Sequence, residues 1–268
     1  MGMILSNRKP PKGSSAAALR KWAVIFLLVG IVGRSIFLNG MLGLDSLRVD
    51  AAQNEQLSAL LETNGDAGMA LTAVVLCCFA ETCAIPLFAF LLIEGVRHTA
   101  SLEKYLLRLI GFALVCELPF NLATSGELLD LGSRNPAFGL VVCFLMLFFF
   151  RNYGEKSLKN TLMKTVIFVA AFLWTMMLSI EFGYALAIFT GMLWLAREKS
   201  NFRAMYAFGA AMICTMIPNE NQFFFIGACL SSIMLHRYTE ELGEQNRILN
   251  YAVYPVCLLI LGIAAKFI

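Results

Sequence analysis

The chain has 268 residues, of which 59% are hydrophobic and 15% charged, and its net charge is +3. Soluble domains contain about 45–50% apolar and about 25% charged residues. The apolar excess here runs along the whole chain, which argues against a soluble domain with one core. The mild charge, without a basic stretch interleaved with aromatic residues, argues against nucleic acid as a partner. The composition predicts an all-α, polytopic integral membrane helical bundle.

The first 21 residues are basic and rich in proline and serine, which predicts a flexible cytoplasmic tail. A cleaved signal peptide is the alternative interpretation. The apolar run that follows is longer than the roughly 7–15 residues of a signal sequence, and no A-x-A-like site ends it. We therefore expect residues 22–268 to form a single transmembrane domain with a retained first helix.

Nine apolar segments follow in chain order. They cover residues 22–42, 69–93, 105–123, 137–150, 162–180, 182–196, 202–217, 222–236 and 251–268. Each is expected to be helical, because a backbone exposed to lipid must satisfy its own hydrogen bonds. Several are shorter than the roughly 20 residues that a perpendicular crossing needs. The sequence thus predicts about eight or nine transmembrane helices.

The one long connection, residues 43–68, is acidic, and its AAQNEQLSALLET stretch has the spacing of a short amphipathic helix. Basic residues set the orientation, since they favour the cytoplasmic side. If the N-terminus is cytoplasmic, most of the 21 lysines and arginines fall on that side. We expect the N-terminus inside, the 43–68 loop outside and the C-terminus outside.

The eight cysteines all lie in apolar runs. None forms a CxxC pair or lies near a histidine at metal-ligand spacing. Buried free thiols that pack as small hydrophobic side chains are the expected state. The sequence predicts no disulfide and no metal site.

Three ionisable residues lie inside predicted spans: Arg34, Glu81 and Glu117. Each costs about 2.5–3.5 kcal/mol to insert, so it is a functional candidate. The helical rise places all three at a similar depth, about 18 Å from the inner side, which predicts an intramembrane charge network. Two interpretations stay open: a packing contact with compensated charge, or a polar cavity in which a carboxylate acts as general acid or base.

The second segment ends in Arg97 and His98, and Lys104 and Arg108 follow in the next segment. A histidine at a helix C-terminus often only complements the helix dipole, and we expect no more of His236. Basic groups at an inner membrane face also suit a phosphorylated cofactor such as an acyl-CoA.

The stretches IPLFAFLLIEGVRHT (85–99) and LEKYLLRLIGFALVCELPFNLA (102–123) resemble the TraX family, named for the conjugal-transfer pilin acetylase. The shared elements are Pro-x-Phe-Ala-Phe, Glu-Gly-x-x-His-Thr, Lys-Tyr-Leu-x-Arg-Leu and Glu-x-Pro-Phe. The ending YAVYPVCLLIL (251–261) is similar to the family's last helix. The resemblance implies a polytopic acyltransferase of the bacterial cytoplasmic (inner) membrane, in contact with membrane lipid.

Such an enzyme would transfer an acyl group from acetyl-CoA or another acyl-CoA to an amine or hydroxyl of a peptide, glycan or lipid acceptor. Acyl transfer needs a base to deprotonate the acceptor. The resemblance implies His98 and Glu117 as catalytic residues, and Arg97, Lys104 and Arg108 as ligands of the donor's phosphates.

The chain departs from the family's motifs at four places. Gly30 and Ile31 stand where an Asp-His pair is usual, Cys257 replaces a histidine, Glu81-Thr82 replaces Gly-Arg, and Asn121 replaces an acid. These losses favour an alternative, a catalytically lapsed membrane scaffold or binding protein. A transporter that uses the charged network is a third hypothesis, weakened by the absence of visible inverted repeats.

Overall fold

The computed structural model describes residues 13–44, 51–63, 65–130, 132–154, 157–218, 221–241, 243 and 247–267. Each of the nine apolar segments contains a helix. The helices are α1 (Ala16–Val32, continued by a π-helix at Gly33–Met41), α2 (Ala51–Thr63), α3 (Ala67–His98), α4 (Leu102–Thr124), α5 (Pro136–Arg151), α6 (Leu158–Met177), α7 (Gly183–Leu195), α8 (Arg203–Met216), α9 (Phe225–His236) and α10 (Arg247–Ala264). No strand occurs among the described residues, which confirms the all-helical prediction.

Four helices of the described residues are long and apolar enough to cross a membrane. They are Ala16–Met41, Ala67–His98, Leu102–Thr124 and Leu158–Met177, with 26, 32, 23 and 20 residues. The α5, α7 and α9 helices are shorter, at 16, 13 and 12 residues. The long apolar helices indicate a membrane-type protein, as the composition predicted.

Short polar residues determine where several helices begin. Ser15, Ser101 and Ser157 each accept a hydrogen bond from a backbone N–H in the first turn of the following helix, and Asn135 does the same for α5. Such side chains satisfy donors that the helix itself leaves unpaired. Helix starts are thus encoded locally.

Helix α3 is the central element and packs against α1, α5, α7 and α9. Its contact with α1 is close because two glycines face it, one in α1 and one at the start of the π-helix. A Cβ on Gly30 would lie 2.3 Å from the Cβ of Glu81, and one on Gly33 would lie 2.4 Å from the Cβ of Cys77. Small residues at such contacts let membrane helices approach each other. The close approach of α1 and α3 therefore requires a residue without a side chain at positions 30 and 33.

One end of the bundle carries the C-terminus of α3 at His98 and the start of α4 at Leu102, and we call it the basic end. Helix α1 also begins there, at Ala16, so the helix includes residues 16–21 of the predicted tail. Ser14 and Ala16 donate backbone hydrogen bonds to the carbonyls of Arg237 and Glu241, at 2.9 and 2.8 Å. The tail prediction for residues 1–12 lies outside the described residues.

The acidic loop predicted at 43–68 contains α2, which matches the expected amphipathic helix in its extent, Ala51–Thr63. Residues 45–50 and 64 of this loop lie outside the described residues. The charges of Asp45, Arg48 and Asp50 therefore enter none of the structural statements below.

Three short helices begin partway along the long ones, at what we call the mid-bundle level. The Asn135 amide, which caps α5, donates to the carbonyl of Ala113 in the middle of α4 at 2.9 Å. Helix α7 begins after a turn in which Phe182 has φ 53°. Before α9, the Phe224 carbonyl accepts a hydrogen bond from Thr82 of α3 at 2.6 Å. This level also contains the buried charges described next.

Candidate functional site

Glu94 organises the cluster at the basic end. Its side chain is 8% exposed and contacts three groups. One oxygen lies 2.8 Å from Nη1 of Arg97, and the other lies 3.3 Å from Nε2 of His98 and 3.4 Å from the hydroxyl of Tyr238. A carboxylate at this distance accepts a hydrogen bond from the ring N–H and orients the imidazole. His98 itself is 60% exposed, so a substrate can reach it.

Tyr238 contacts Glu94, and Arg203 in turn packs against the Tyr238 ring. The guanidinium carbon of Arg203 lies 5.4 Å from the ring centre of Phe90 and 5.6 Å from that of Tyr238, and Nη2 bonds Glu240 at 2.8 Å. Burial, with the neighbouring Glu94 carboxylate, raises the pKa of Tyr238 to about 12. The phenol is therefore a neutral hydrogen-bond donor to Glu94 at physiological pH.

The three cations predicted to bind a donor all lie at the basic end and are exposed. Arg97 already bonds Glu94, and its Nη1 also lies 3.3 Å from the carbonyl of Arg197. Arg108 donates from Nε to the backbone carbonyl of Lys104 at 3.0 Å, and the spacing of four puts both residues on one face of α4. The arrangement places positive charge next to His98 on α3 and in the first two turns of α4.

A second ionic cluster lies at the mid-bundle level, around Arg34 in the π-helix. Arg34 donates to Glu81 at 2.5 Å and also pairs with Glu181. Glu181 also accepts a hydrogen bond from the Ser133 hydroxyl at 3.4 Å. The sequence predicted one network of Arg34, Glu81 and Glu117. The structure brings Arg34 together with Glu81 and Glu181, and Glu117 has other partners.

Glu117 lies on α4, and its contacts are with the start of α5. It accepts hydrogen bonds from the amide side chain and the backbone N–H of Asn135, at 2.6 and 3.2 Å, and lies 4.0 Å from Nη1 of Arg134. The physical reason is the loop before α5, which returns into the bundle and brings polar groups to α4. Glu117 therefore holds the first turn of α5 in place.

Two functional candidates, Glu94 and Glu181, were given no role by the sequence reasoning. Glu94 belonged to the noted motif, and its spacing of four from His98 on a helix is a sequence signal for contact. Glu181 had no such signal, since it lies 147 positions from Arg34. The backbone of Arg134 pairs with Ser179 and Glu181 at 2.9 Å each, and this long-range pairing brings Glu181 to Arg34.

A cavity of about 160 Å³ lies between the two clusters. Its lining on α3 runs from Leu92, six residues before His98, to Ile85, four residues after Glu81. Near the basic end it is bordered by Arg20, Tyr105 and Tyr251. Neither His98 nor Glu117 lines it, but each lies beyond one of its ends.

The deep part of the cavity is bordered by Pro136, Ala137 and Tyr254. Pro136 directly follows Asn135, the partner of Glu117. Tyr254 is 4% exposed, and its hydroxyl has no hydrogen-bond partner within the described part of the chain. The remaining lining is almost wholly apolar, so the cavity suits an apolar chain.

All eight cysteines are free thiols. Within the residues described, no group of three or more His, Cys, Asp or Glu side chains is close enough to hold a metal ion.

Comparison with known proteins gives one match. The family model described as TraX protein matches residues 57–265. No curated protein matches the chain, and no solved structure does. The matched region contains both ionic clusters apart from Arg34, and it covers well over half of the chain. The chain therefore belongs to the TraX family.

Proposed function

We propose that the protein is a membrane acyltransferase that takes an acyl group from an acyl-CoA at the basic end. The acceptor is an amine or hydroxyl of a peptide, glycan or lipid. The observation that carries the proposal is the Glu94–His98 pair, 3.3 Å apart, beside exposed cations and above an apolar cavity.

His98 is the general base in this proposal. With Nε2 protonated and bound to Glu94, Nδ1 takes the proton from the acceptor's N–H or O–H as that atom attacks the thioester carbonyl. The tetrahedral intermediate then collapses, the carbon–sulfur bond breaks, and the CoA thiolate receives the proton from His98. Glu94 stabilises the imidazolium between the two steps, in the way that a carboxylate supports a catalytic histidine.

Lys104, Arg108 and Arg97 bind the donor's phosphates. Lys104 and Arg108 are adjacent on one helix face, which suits neighbouring phosphate groups, and arginine binds phosphate in a bidentate way. Glu117 positions the start of α5 through Asn135 and moves no proton in this scheme. Its effect on catalysis would be indirect, through the shape of the cavity.

The basic end faces the cytoplasm in this proposal, because lysine and arginine are enriched on that side of a membrane. A soluble acyl-CoA would then reach His98 directly. The N-terminus lies inside and the C-terminus outside, in a bacterial inner membrane. Eight or nine crossings require that the short helices, such as α7 and α9, span with the help of flanking residues or a thinned bilayer.

A catalytically lapsed scaffold is the second candidate, favoured by the missing histidines. The position at which the family resemblance implies an aspartate is Gly30, and Glu81 packs against it. A carboxylate therefore lies near position 30, but it is the side chain of Glu81 on α3, and it is paired with Arg34. The scaffold hypothesis takes that ion pair as structural, and it predicts that His98 is dispensable.

The test uses the full-length protein in membranes with radiolabelled acetyl-CoA. Donor binding is measured by equilibrium dialysis of purified protein, and transfer by label in the lipid, glycan and protein fractions. We expect His98→Ala to lower transfer by roughly 10²–10⁴-fold while donor binding changes little. His236→Ala, which removes the other histidine of the chain, is the matched control and should leave both unchanged.

Two outcomes would contradict the enzyme hypothesis. One is no binding of either acetyl-CoA or octanoyl-CoA at millimolar concentration. The other is transfer that is identical in wild type and His98→Ala, with equal amounts of protein. A membrane partner captured equally by both proteins, without label transfer, would support the scaffold.

A further inference from the structure

We propose that the acyl group carried by this protein is a straight alkyl chain of about four to eight carbons, longer than acetyl, and that the cavity holds it. The inference rests on the proposed function and adds the class of acyl group. It depends on three properties of the cavity: its depth, the nature of its walls and the position of its mouth.

The depth follows from the lining residues of two helices. On α3 they extend from Leu92 to Ile85, and on α4 from Tyr105 to Phe112. Each interval is seven residues, which is about 10 Å at the rise of an α-helix. A carbon–carbon bond of about 1.5 Å advances an extended, zigzag chain by about 1.3 Å, so a chain of seven or eight such bonds fills this length. An acetyl group, with one, would occupy only the mouth.

The walls suit such a chain. Leu27, Phe88, Leu109, Leu140 and Leu186 all line the cavity. An apolar cavity of about 150 Å³ stays dry and accepts an apolar molecule of fitting shape, and the volume here is about 160 Å³. The space is therefore comparable with the volume of a small hydrocarbon group, and its apolar walls offer few hydrogen-bond partners to a nucleotide or a sugar.

The mouth lies at the basic end. Arg20 is four residues from the start of α1, Tyr105 three from the start of α4, and Tyr251 four from the start of α10. On α3 the lining residue Leu91 shares a helix face with Gly95 and His98, at spacings of four and seven. A thioester at the mouth would thus lie near His98, with its chain directed towards Pro136 and Tyr254.

Binding of acyl-CoAs of increasing length to the purified full-length protein tests the proposal. Acetyl-, butyryl-, hexanoyl-, octanoyl- and dodecanoyl-CoA are compared by equilibrium dialysis. We expect affinity to rise about fourfold per added methylene, the factor that corresponds to about 0.8 kcal/mol, and to level off near eight carbons. Equal or tighter binding of acetyl-CoA would overturn the chain-length inference and leave the acyltransferase proposal standing. Failure of every acyl-CoA to bind would overturn both.

Substitutions that change the size of the cavity test the proposal independently. Ala137→Leu should shorten the preferred chain by filling the deep part, and Leu140→Ala should lengthen it. Leu145→Ala is the matched control on the same helix, because Leu145 lines a different groove, between α5 and α6. A chain-length profile that none of the cavity variants shifts, while each still binds acetyl-CoA, would contradict the proposal.

An alkyl chain can also arrive on a free fatty acid or a lipid, so octanoate is a further probe. For an acyl-CoA site, octanoyl-CoA should bind at least tenfold more tightly than octanoate, and Lys104→Gln with Arg108→Gln should remove the difference. Equal affinities in the wild type would assign the cavity to a fatty chain without CoA and overturn the donor assignment. Tyr254→Phe should change octanoyl-CoA affinity less than twofold, whereas a tenfold loss would mean that the ligand carries a polar atom at this depth and is not a plain alkyl chain.

Discussion

The ion cluster at the mid-bundle level makes an asymmetric prediction about stability. Arg34 carries one formal positive charge and faces two formally negative carboxylates, Glu81 and Glu181. Replacing Arg34 with glutamine leaves two carboxylates beside each other without a cation. Replacing Glu81 with glutamine leaves one complete ion pair, and the new amide oxygen can still accept from Arg34. The arginine variant should therefore be the more damaging one.

The magnitudes follow from the burial of the groups. The side chain of Glu81 is 2% exposed, against 20% for Arg34 and 10% for Glu181. Removing one partner of a buried pair costs about 3–5 kcal/mol, which we expect for Arg34→Gln. Glu81→Gln should cost about 1.5–3 kcal/mol, the range for a charged hydrogen bond. At roughly 2–4 °C per kcal/mol for a chain of this size, Arg34→Gln lowers Tm about twice as much as Glu81→Gln.

Tryptophan fluorescence of purified protein in detergent micelles measures these Tm values during heating. Arg134→Gln is the matched control, because Arg134 lies 4.0 Å from Glu117 and is 37% exposed. Exposed pairs contribute about 0–1 kcal/mol, so its Tm should fall by only a few degrees. A larger loss for Glu81→Gln than for Arg34→Gln would refute the charge count on which the prediction depends.

Three further predictions concern packing and hydrogen bonds, each measured as a Tm shift. Gly30→Ala should lower the free energy of unfolding by about 1–3 kcal/mol, because its Cβ would lie 2.3 Å from that of Glu81. The control Gly111→Ala should be neutral or stabilising, since its Cβ would have no atom within 4 Å. Equal effects of the two substitutions would contradict the close contact. Asn135→Ala removes a helix cap and two side-chain donations to α4 and should cost about 1–3 kcal/mol, so an unchanged Tm would count against this anchoring role. The pKa of Tyr238 is raised to about 12, so its contribution to stability is fully present below a pH of about 10 and is lost as the pH rises through about 12. Tyr238→Phe should therefore reduce the loss of stability at alkaline pH. Identical pH profiles of Tm for the variant and the wild type would contradict this.

Much of the fold was accessible from the sequence because its determinants are local. Apolar runs predict helices when lipid replaces water as the solvent, and the structure has a helix in each predicted run. Serine and asparagine caps define several starts through contacts within three residues. The contact between Glu94 and His98 also lies within one helix turn, so the motif contained it.

The sequence by itself thus determined a helical membrane-type chain of the TraX family, with a histidine and cations at one end of a central helix. Only the tertiary structure decided which charges meet. Glu181 reaches Arg34 because the backbone at Arg134 pairs with the turn at 179–181, and the same loop draws Glu117 to Asn135. Contacts between residues more than a hundred positions apart depend on how helices pack, and hydropathy and spacing carry no information about that packing.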